Sequence, residues 1–370
     1  MTRDEKKKLG SFYTDSVLVN KIVDELEECG MLFPDMSIID PCCGECAFLS
    51  ELKNRGYDNV KGIDIDEKAV AVCKEKYPDI DVECADFINM NHAIKYDLVI
   101  GNPPYVPMVK RYDIHIENDE LRNTVKSMGN NLWLPVFILS LEMLKENGVL
   151  AYVLPKNITF VHAYHTLRKL ICETMTIVSI VDLGEYFENV EGTQVVLILQ
   201  NKKADDNHKI KYLDRDCKHV ISVLQNVLID EYLVFTTQQD VKLYKQFNKY
   251  EKMYECFNLN MYRGKDSTRT DDIARGRDLR KFGYKDDRFI VDGDILLIQN
   301  IYNKEAGITG SRSVTGHANV TCSVIETGDC EVAKYLLGIL HSRVVAFICL
   351  NVYTVVHSLV HIWINRISVN

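Results

Sequence analysis

The sequence between residues 36 and 200 predicts an α/β fold with a mostly parallel sheet that is covered by helices on both faces. Short β-branched runs alternate there with stretches whose apolar residues recur at helical spacing. The predicted strands are 36–40, 60–65, 96–101, 148–154, 176–183 and 194–200. The predicted helices between them are 46–55, 66–77, 133–146 and 162–173. Such a sheet binds ligands outside the carboxyl ends of its strands, so polar clusters at strand ends are candidate sites.

The regions on either side of this sheet have different patterns. Residues 15–29 predict a helix, with Asp15 or Ser16 as its N-cap. The polar segment 201–209 lacks apolar periodicity, so we predict a domain boundary there. Residues 206–370 then form a smaller α+β domain, because a chain of 370 residues suits two domains. Its predicted elements are strands at 288–300 and 317–326 and a helix at 330–348.

The composition is that of an ordinary globular protein, with 26 % charged and 46 % apolar residues. The charged start MTRDEKKKLG precedes no apolar stretch, so we expect no secretion signal and reduced thiols at the 12 cysteines. CCGEC at 42–46 has no second Cys/His pair at zinc spacing elsewhere, so no metal is expected. The uncharged run 344–365 holds two Asn and two His, which favours burial in protein over a membrane span.

Charge is divided unevenly between the two predicted domains. The net charge is −9 overall, −11 over residues 1–205 (22 Lys+Arg against 33 Asp+Glu) and +2 over the remainder (22 against 20). The segment 263–288 carries nine basic and six acidic residues. It is either a solvated loop of mixed charge or a segment that contacts phosphates. Its candidate phosphate ligands are Arg275, Arg277, Arg280 and Lys281.

The first two strand ends carry residue types that suit a nucleotide. The stretch IIDPCCGECAFL, residues 38–49, runs from a strand through an acidic residue and a glycine turn into a helix, whose N–H groups suit a ligand. The next strand ends at Asp64, whose carboxylate suits a ribose diol. The alternative role of Asp64 is a helix N-cap, which Asp66 fills better.

The third polar cluster is ECADFIN, residues 83–89. Asp86 offers acceptors for an exocyclic amino group, and Phe87 offers a ring that can lie against a purine face. Core packing is the alternative for Phe87. The cluster therefore extends the candidate nucleotide site to a third strand end.

The stretch DLVIGNPPYV, residues 97–106, ends a predicted buried strand in a rigid turn. Two prolines fix φ and supply no N–H, so the carbonyls around Asn102 and Pro103 point outward in a preset geometry. An amide oxygen beside a backbone carbonyl makes a clamp with two acceptors for an –NH2 group, and Tyr105 beside it can stack on a planar ring. Gly and Asp would suffice to end a strand, so this turn predicts a function.

Taken in order, these elements resemble those of the gamma-class, TaqI-like adenine-N6 DNA methyltransferases, which use S-adenosylmethionine. LGSFYTD (9–15) resembles their F-Y-T-P element, DPCCGEC their glycine loop, GIDID and ADF their acidic elements, and NPPY their catalytic tetrapeptide. NGVLAYVLP (147–155) and LGEYFENVEGTQVVLIL (183–199) resemble later elements. The resemblance covers residues 9–200. It implies a Rossmann-like methyltransferase catalytic domain over 1–205 that methylates N6 of an adenine flipped out of double-stranded DNA.

The resemblance also implies roles for individual residues. Those implied at the target base are Asn102, Pro103, Pro104, Tyr105 and Phe187, with Tyr105 and Phe187 on opposite faces of the ring. Those implied around the cofactor are Thr14, Asp40, Cys42, Gly44, Asp64, Ile65, Asp86, Phe87 and Asn102. Two positions depart from the family pattern. Cys46 replaces a glycine, so we expect an altered cofactor turn, and Asp15 replaces a proline, which a helix start tolerates.

Residues 206–370 resemble the family's specificity domains less closely. IARGRDL, VDGDILLIQ and LLGILHSRVVAF look like elements of TaqI-like and type I specificity regions. We therefore expect a DNA target-recognition domain there, either sufficient by itself or completed by a specificity or restriction subunit. The excursion 106–132 is longer than a typical connection. It is either a surface excursion or a DNA-contacting lid that carries Lys110 and Arg111.

Two other functions remain open at this stage. The tetrapeptide also serves methyltransferases that modify protein glutamine side chains or bases in structured RNA, and a catalytically silent DNA-binding subunit is the third reading. The F-Y-T element, Phe187 and the second domain favour DNA. The sequence thus predicts a cytoplasmic prokaryotic enzyme with double-stranded DNA as partner and no membrane or metal.

Overall fold

The computed structural model describes residues 14–108, 115–187, 192–228, 233, 260–263, 294–299, 310–313 and 322–340. The chain divides into two compact units, Met1–Leu233 and Val234–Asn370. Each unit is described by itself below.

The first unit is built on one nine-stranded sheet with the strand order β3-β2-β1-β4-β5-β7-β6-β8-β9. Its strands are β1 (Ile38–Asp40), β2 (Val60–Asp64), β3 (Asp81–Cys84), β4 (Tyr96–Gly101), β5 (Leu144–Pro155), β6 (Thr176–Gly184), β7 (Gln194–Gln200), β8 (Lys209–Leu213) and β9 (His219–Leu224). Its helices are α1 (Ser16–Glu28), α2 (Ala47–Asn54), α3 (Glu67–Lys76), α4 (Asp119–Ser127), α5 (Trp133–Glu142) and α6 (His165–Thr174).

The sheet is mixed but mostly parallel, as predicted. β1 to β5 run parallel to one another, whereas β7 lies antiparallel between β5 and β6. β1 contacts both β2 and β4, so the strand order reverses at β1. The carboxyl ends of β1, β2 and β4 therefore meet at one edge of the sheet, at the switch point where such folds bind ligands.

Helices cover both faces of the sheet because alternate residues of its central strands point to opposite sides. On one face, Val149 and Val153 of β5 belong to a buried cluster that includes Leu18 and Leu49 of α1 and α2. On the other face, the ring of Tyr152 packs against Phe137 of α5 at a centroid distance of 6.3 Å. The double cover explains why the strands read as continuous apolar runs.

Most predicted elements are confirmed within a few residues of their predicted bounds. α1 begins as expected at the N-cap Asp15, whose Oδ1 accepts from the Leu18 N–H at 3.0 Å. The helix predicted over 133–146 ends at Glu142, because the chain enters β5 at Leu144. β3 was not among the predicted strands, although the cluster 83–89 was expected to lie at a strand end. This strand is a short edge strand in which only Val82 is buried, so its sequence carries little apolar signal.

The predicted boundary at residue 205 lies between β7 and β8 of the continuous sheet. β8 pairs with β6 in parallel and β9 pairs with β8, so both strands belong to the first unit, which extends to Leu233. The polar segment 201–209 that suggested a boundary is a connection between two strands of one sheet. Loop composition alone does not distinguish these two situations.

The described residues of the second unit form an antiparallel sheet with the order β10-β13-β11-β12 and one helix. The elements are β10 (Asn260–Arg263), β11 (Ile295–Gln299), β12 (Gly310–Ser313), β13 (Cys322–Glu326) and α7 (Cys330–Leu340). Leu296, Val324 and Leu336 are buried, which gives this unit an apolar core of its own. Strands followed by a helix agree with the predicted α+β class in this part of the chain.

No helix in the described ranges is long and apolar enough to cross a membrane. The predicted apolar run 344–365 and all the predicted DNA contacts cannot be placed. The residues concerned are Lys110, Arg111, Arg275, Arg277, Arg280 and Lys281, and they lie outside the described residues together with the run 344–365.

Candidate functional site

Asp40 ends β1 and is almost completely buried, with 2 % of its surface exposed. Its Oδ1 accepts the backbone N–H of Cys42 at 3.0 Å, which fixes the start of the glycine turn. Burial raises the pKa of the Asp40 carboxyl well above its ordinary value. The same carboxyl lies against Gly101, where a Cβ would approach Asp40 Oδ1 to 2.5 Å. The glycine before Asn102 thus makes room for the acid at the neighbouring strand end.

Asp64 ends β2 and holds the middle of the same turn. Its Oδ2 accepts the Gly44 N–H at 2.7 Å, and its Oδ1 accepts the Asp66 N–H at 2.9 Å. Asp66 is the N-cap of α3, with its Oδ1 accepting from Lys68 N at 3.0 Å, as expected. Each Asp64 oxygen retains a second acceptor site, so a diol can still bind. Burial raises the pKa of Asp64.

Cys46, which departs from the family's glycine, keeps the backbone conformation that favours glycine. Its φ is 63° and its ψ is 31°, in the left-handed region, and it is the N-cap of α2. The backbone conformation that a glycine would favour is therefore present in spite of the substitution. A side chain held in this region costs on the order of 1–3 kcal/mol, and the sulfur of Cys46 is fully buried.

Asp86 and Phe87 follow β3 at the next strand end. The two Asp86 oxygens accept the Ile88 N–H at 3.0 Å and the Asn89 amide at 2.8 Å, which stiffens this loop. Phe87 is 4 % exposed and packs edge-on against His92 at a centroid distance of 5.0 Å. Its ring is thus mostly engaged in core packing, the alternative considered for it, whereas Ile65 beside Asp64 is 46 % exposed.

Asn102 is held from two sides at the carboxyl end of β4. Its Nδ2 lies 3.3 Å from Thr14 Oγ1, and its Oδ1 contacts the hydroxyl of Tyr105. The same hydroxyl lies 2.7 Å from the backbone carbonyl of Val153 in β5. Pro103 is buried beside them. The side-chain amide is therefore held between two hydroxyl groups at the edge of the sheet.

The number of available protons decides which hydrogen bonds the groups around Asn102 can form. Tyr105 has one hydroxyl proton but faces two acceptors, Val153 O and Asn102 Oδ1. With the Asn102 amide rotated by 180°, its Nδ2 donates to the Tyr105 oxygen, the Tyr105 proton goes to Val153, and Thr14 donates to Oδ1. In either orientation the amide is fixed by two hydroxyl groups. Burial raises the pKa of Tyr105 well above its ordinary value, so the hydroxyl keeps its proton.

Phe187 follows β6 at the same edge of the sheet and is half-buried. It packs edge-on against Tyr186 at a centroid distance of 5.3 Å, and the hydroxyl of Tyr186 donates to Asp15 Oδ1 at 3.2 Å. Because Asp15 directly follows Thr14, this bond ties the Phe187 segment to the residue that contacts Asn102. Sequence reasoning had not assigned these roles to Tyr186 or Asp15.

The residues predicted for the cofactor and the target base thus lie at one edge of the sheet, joined by direct contacts or placed at adjacent strand ends. The Asp40 turn is tied to the Asn102 turn through Gly101, and to β2 through Gly44 and Asp64. Gly101 was not among the predicted site residues, and its position between a strand and NPPY was the available signal. Buried acids beside an exposed apolar residue suit a cationic nucleoside such as S-adenosylmethionine, so the residues present fit this cofactor.

Comparison with known proteins identifies similar chains among the methylases. Residues 75–187 match the family model described as Eco57I restriction-modification methylase. The chain is 26 % identical over 330 residues to modification methylase CviBIII of Paramecium bursaria Chlorella virus NC1A, covering 81 % of this chain and 85 % of that one. It is also 26 % identical over 234 residues to type II methyltransferase M.VspI of Vibrio sp. (strain 343), covering 60 % and 55 %. The chain thus spans about half the length of the second relative.

Among solved structures, the type IIL restriction-modification enzyme MmeI in complex with DNA matches with a TM-score of 0.53 at 12 % identity, over 100 % of this chain and 68 % of that one. This likeness shows the fold alone. The fold is that of the S-adenosylmethionine-dependent methyltransferases, and S-adenosylmethionine is the cofactor it implies. Over residues 75–187 the chain is thus similar to the Eco57I restriction-modification methylases, and over most of its length it is similar to a modification methylase.

Proposed function

We propose that the chain transfers a methyl group from S-adenosylmethionine to the N6 amino group of an adenine in double-stranded DNA. The observation that carries the proposal is the side-chain amide of Asn102, held between the hydroxyls of Thr14 and Tyr105 beside Pro103. An amide oxygen and a backbone carbonyl at this place can each accept one N–H of an amine. The names of the relatives, which are methylases of restriction-modification systems, support DNA as the substrate.

The cofactor would bind along the turns that follow β1 and β2. Asp64 would accept the ribose hydroxyls, because its two oxygens are already oriented by the Gly44 and Asp66 N–H groups. Ile65, which is 46 % exposed, would cover a face of the cofactor's base, and the turn between Asp40 and Gly44 would surround the methionine part. When bound, S-adenosylmethionine supplies an electrophilic methyl group on a sulfonium.

Asn102 and Pro103 would prepare the target amine. The lone pair of an adenine amino nitrogen is delocalised into the ring, so the nitrogen is a poor nucleophile. Two acceptors that each take one N–H favour a pyramidal nitrogen with a localised lone pair. The nitrogen then accepts the methyl group and releases one proton to water, so no general base has to act before transfer. Positioning and electrostatics supply most of the rate.

Two aromatic rings would hold the base after it leaves the duplex. Flipping a base out costs a few kcal/mol of unpairing and unstacking, which stacking in a pocket partly offsets. The Tyr105 ring is anchored by its hydroxyl at Val153, and Phe187 is positioned by its neighbour Tyr186. These anchors support a sandwich of the base between Tyr105 and Phe187.

The second unit is proposed to be the part that recognises the DNA target, alone or with a specificity or restriction subunit. The basic residues predicted for this role are those of the segment 263–288 and the pair Lys110 and Arg111. A prokaryotic cytoplasmic location would follow from such a role. The predicted domain division at residue 205 would then be replaced by the division after Leu233.

A substrate panel tests the proposal. The purified chain is incubated with methyl-labelled S-adenosylmethionine and, in parallel, duplex DNA, structured RNA or a glutamine-bearing protein, and the products are digested and separated. We expect label in N6-methyladenine from DNA, and no further label in DNA that the chain has already modified. Label in cytosine, RNA or glutamine would refute the proposed substrate. Absence of label in every sample would favour a silent or partner-dependent subunit.

A further inference from the structure

Three cysteine thiols lie close together at the turn that follows β1, and none of them has a role in the proposed methyl transfer. Cys43 lies in the turn after β1, Cys46 caps α2 and Cys73 lies on α3. Their sulfur atoms all lie within 4.8 Å of one another, and the three residues are buried. Two separate segments, the turn after β1 and the helix α3, thus bring three thiols to a single point, which core packing alone does not require.

The surrounding backbone is adapted to these sulfurs. A Cβ at Gly62 of β2 would lie 2.8 Å from Cys43 Sγ, so a glycine is needed for that sulfur to fit. Cys46 occupies a left-handed conformation, with φ at 63°, that glycine would adopt at lower cost. A strained position that is kept for one side chain points to a role for that side chain. The sequence alone predicted no metal here, because it shows no second Cys/His pair at zinc spacing.

From this geometry we propose that Cys43, Cys46 and Cys73 bind a thiophilic divalent cation of the Zn²⁺ class, with the carbonyl oxygen of Gly44 as fourth ligand. With Zn–S near 2.3 Å, the sulfurs of a tetrahedral site are separated by about 3.8 Å. The observed spacing needs a contraction of about 1 Å at most to reach that value. Soft thiolate ligands select zinc over magnesium or calcium.

The position of the Gly44 oxygen supports a four-coordinate site. It lies 3.2 Å from Cys73 Sγ and 3.9 Å from Cys43 Sγ. In a tetrahedron with Zn–S near 2.3 Å and Zn–O near 2.1 Å, the sulfur–oxygen separation is about 3.6 Å, between the two observed distances. Binding replaces three thiol protons by one divalent cation and leaves one negative charge. The N-terminus of α2, which Cys46 caps, lies where it stabilises that charge.

Such a cation would act on the cofactor turn and not on the methyl group. The backbone N–H of Cys46 donates to the carbonyl oxygen of Cys43 at 2.8 Å, and between these two residues lies Gly44, whose N–H donates to Asp64. Locking both thiols in one coordination sphere fixes the backbone that presents this donor. The site goes beyond the proposed function, because it can hold a metal whether or not the chain methylates DNA.

Metal content of the full chain tests the proposal. The wild type is purified without chelator from zinc-supplied cells and analysed by elemental mass spectrometry, beside Cys46→Gly and the control Cys330→Ser. Glycine suits the left-handed backbone, so Cys46→Gly is expected to fold, which circular dichroism checks. We expect about one zinc per chain in the wild type and the control, and a loss of at least tenfold in Cys46→Gly. A fall in cofactor affinity on chelation of the wild type is expected as well.

Two results would overturn the site. One is a wild-type chain that neither contains zinc nor takes up added Zn²⁺ or Co²⁺, the latter followed by its thiolate absorption bands. The other is a folded Cys46→Gly chain that retains full metal content. Intact mass decides what then occupies the cluster, since a disulfide removes two hydrogens per bond and packed thiols remove none. Both of these states contradict metal binding, and neither depends on methylation activity.

Discussion

The turns that follow β1 and β4 lie side by side but are stabilised in different ways. In the β1 turn, residues 41–46, backbone N–H groups donate to the carboxylates of Asp40 and Asp64. In the β4 turn, residues 102–105, two prolines restrict the backbone. The hydrogen bonds there are formed by the side-chain amide of Asn102 with two hydroxyl groups. The first arrangement shapes a binding surface, whereas the second orients a single functional group. We therefore expect cofactor binding and methyl transfer to respond separately to substitutions.

The largest effect is expected for Asn102→Ala in the β4 turn. Loss of one preorganised polar group at a reacting centre costs about 10²–10³ in rate, and Asn102 is the proposed acceptor for the target amine. Calorimetry should give an unchanged cofactor Kd, and single-turnover assays should give the loss in rate. Asn226→Ala, at an exposed surface position, is the control. Retention of more than one-tenth of the wild-type rate would contradict the role of Asn102.

Gly101→Ala should damage both turns at once. Its Cβ would lie 2.5 Å from Asp40 Oδ1, a buried group that has little room to move. We expect a loss of about 3 kcal/mol in the free energy of unfolding of the first unit, measured by urea titration. Gly338→Ala in α7 is the matched control, because nothing lies within 4 Å of its Cβ. An alanine at residue 101 that costs less than about 0.5 kcal/mol would show that the turns are not in contact.

Asp64→Ala should weaken cofactor binding without slowing transfer at saturating cofactor. The substitution removes the acceptor of the Gly44 N–H and the proposed acceptor of the ribose. A loss of about 2 kcal/mol corresponds to a rise in cofactor Kd of about 30-fold. Asp58→Ala, whose carboxylate is exposed and pairs with Lys53, is the control. If kcat fell as much as affinity, the two turns would not act separately.

Tyr105→Phe should have the smallest effect and the most local one. The ring remains for stacking, but the hydroxyl that contacts Asn102 and Val153 is removed. We expect kcat to fall about fivefold, which is about 1 kcal/mol, with an unchanged cofactor Kd. Tyr57→Phe removes an exposed hydroxyl 3.4 Å from Glu27 and serves as control. An equal fall in both variants would argue against a positioning role for the Tyr105 hydroxyl.

Much of the first unit could be predicted from sequence because its signals are local. Runs such as QVVLILQ carry the strand propensity of β7, and Asp15 and Asp66 carry the capping chemistry of α1 and α3. β8 and β9 were not predicted, because a polar connection was interpreted as a domain boundary. Strand pairing across the sheet is not encoded in local composition.

The contacts that complete the site join residues far apart in the chain, so local patterns could not predict them. Thr14 and Asn102 are 88 residues apart, and Asp15 and Tyr186 are 171 apart. The conformation of Cys46 could not be anticipated either, since cysteine has no preference for the left-handed region. Motif order located the strand ends, and the sheet topology then decided which of them meet.

The central claim is that this chain methylates adenine in DNA, and mapping of modified bases in a living cell tests it most directly. The full chain is expressed in a host without DNA methylation, and the genome is analysed by single-molecule sequencing beside a host that expresses Asn102→Ala. The account predicts N6-methyladenine at one recurrent sequence in the first genome and none in the second. A genome free of N6-methyladenine in the presence of folded wild-type chain would contradict it.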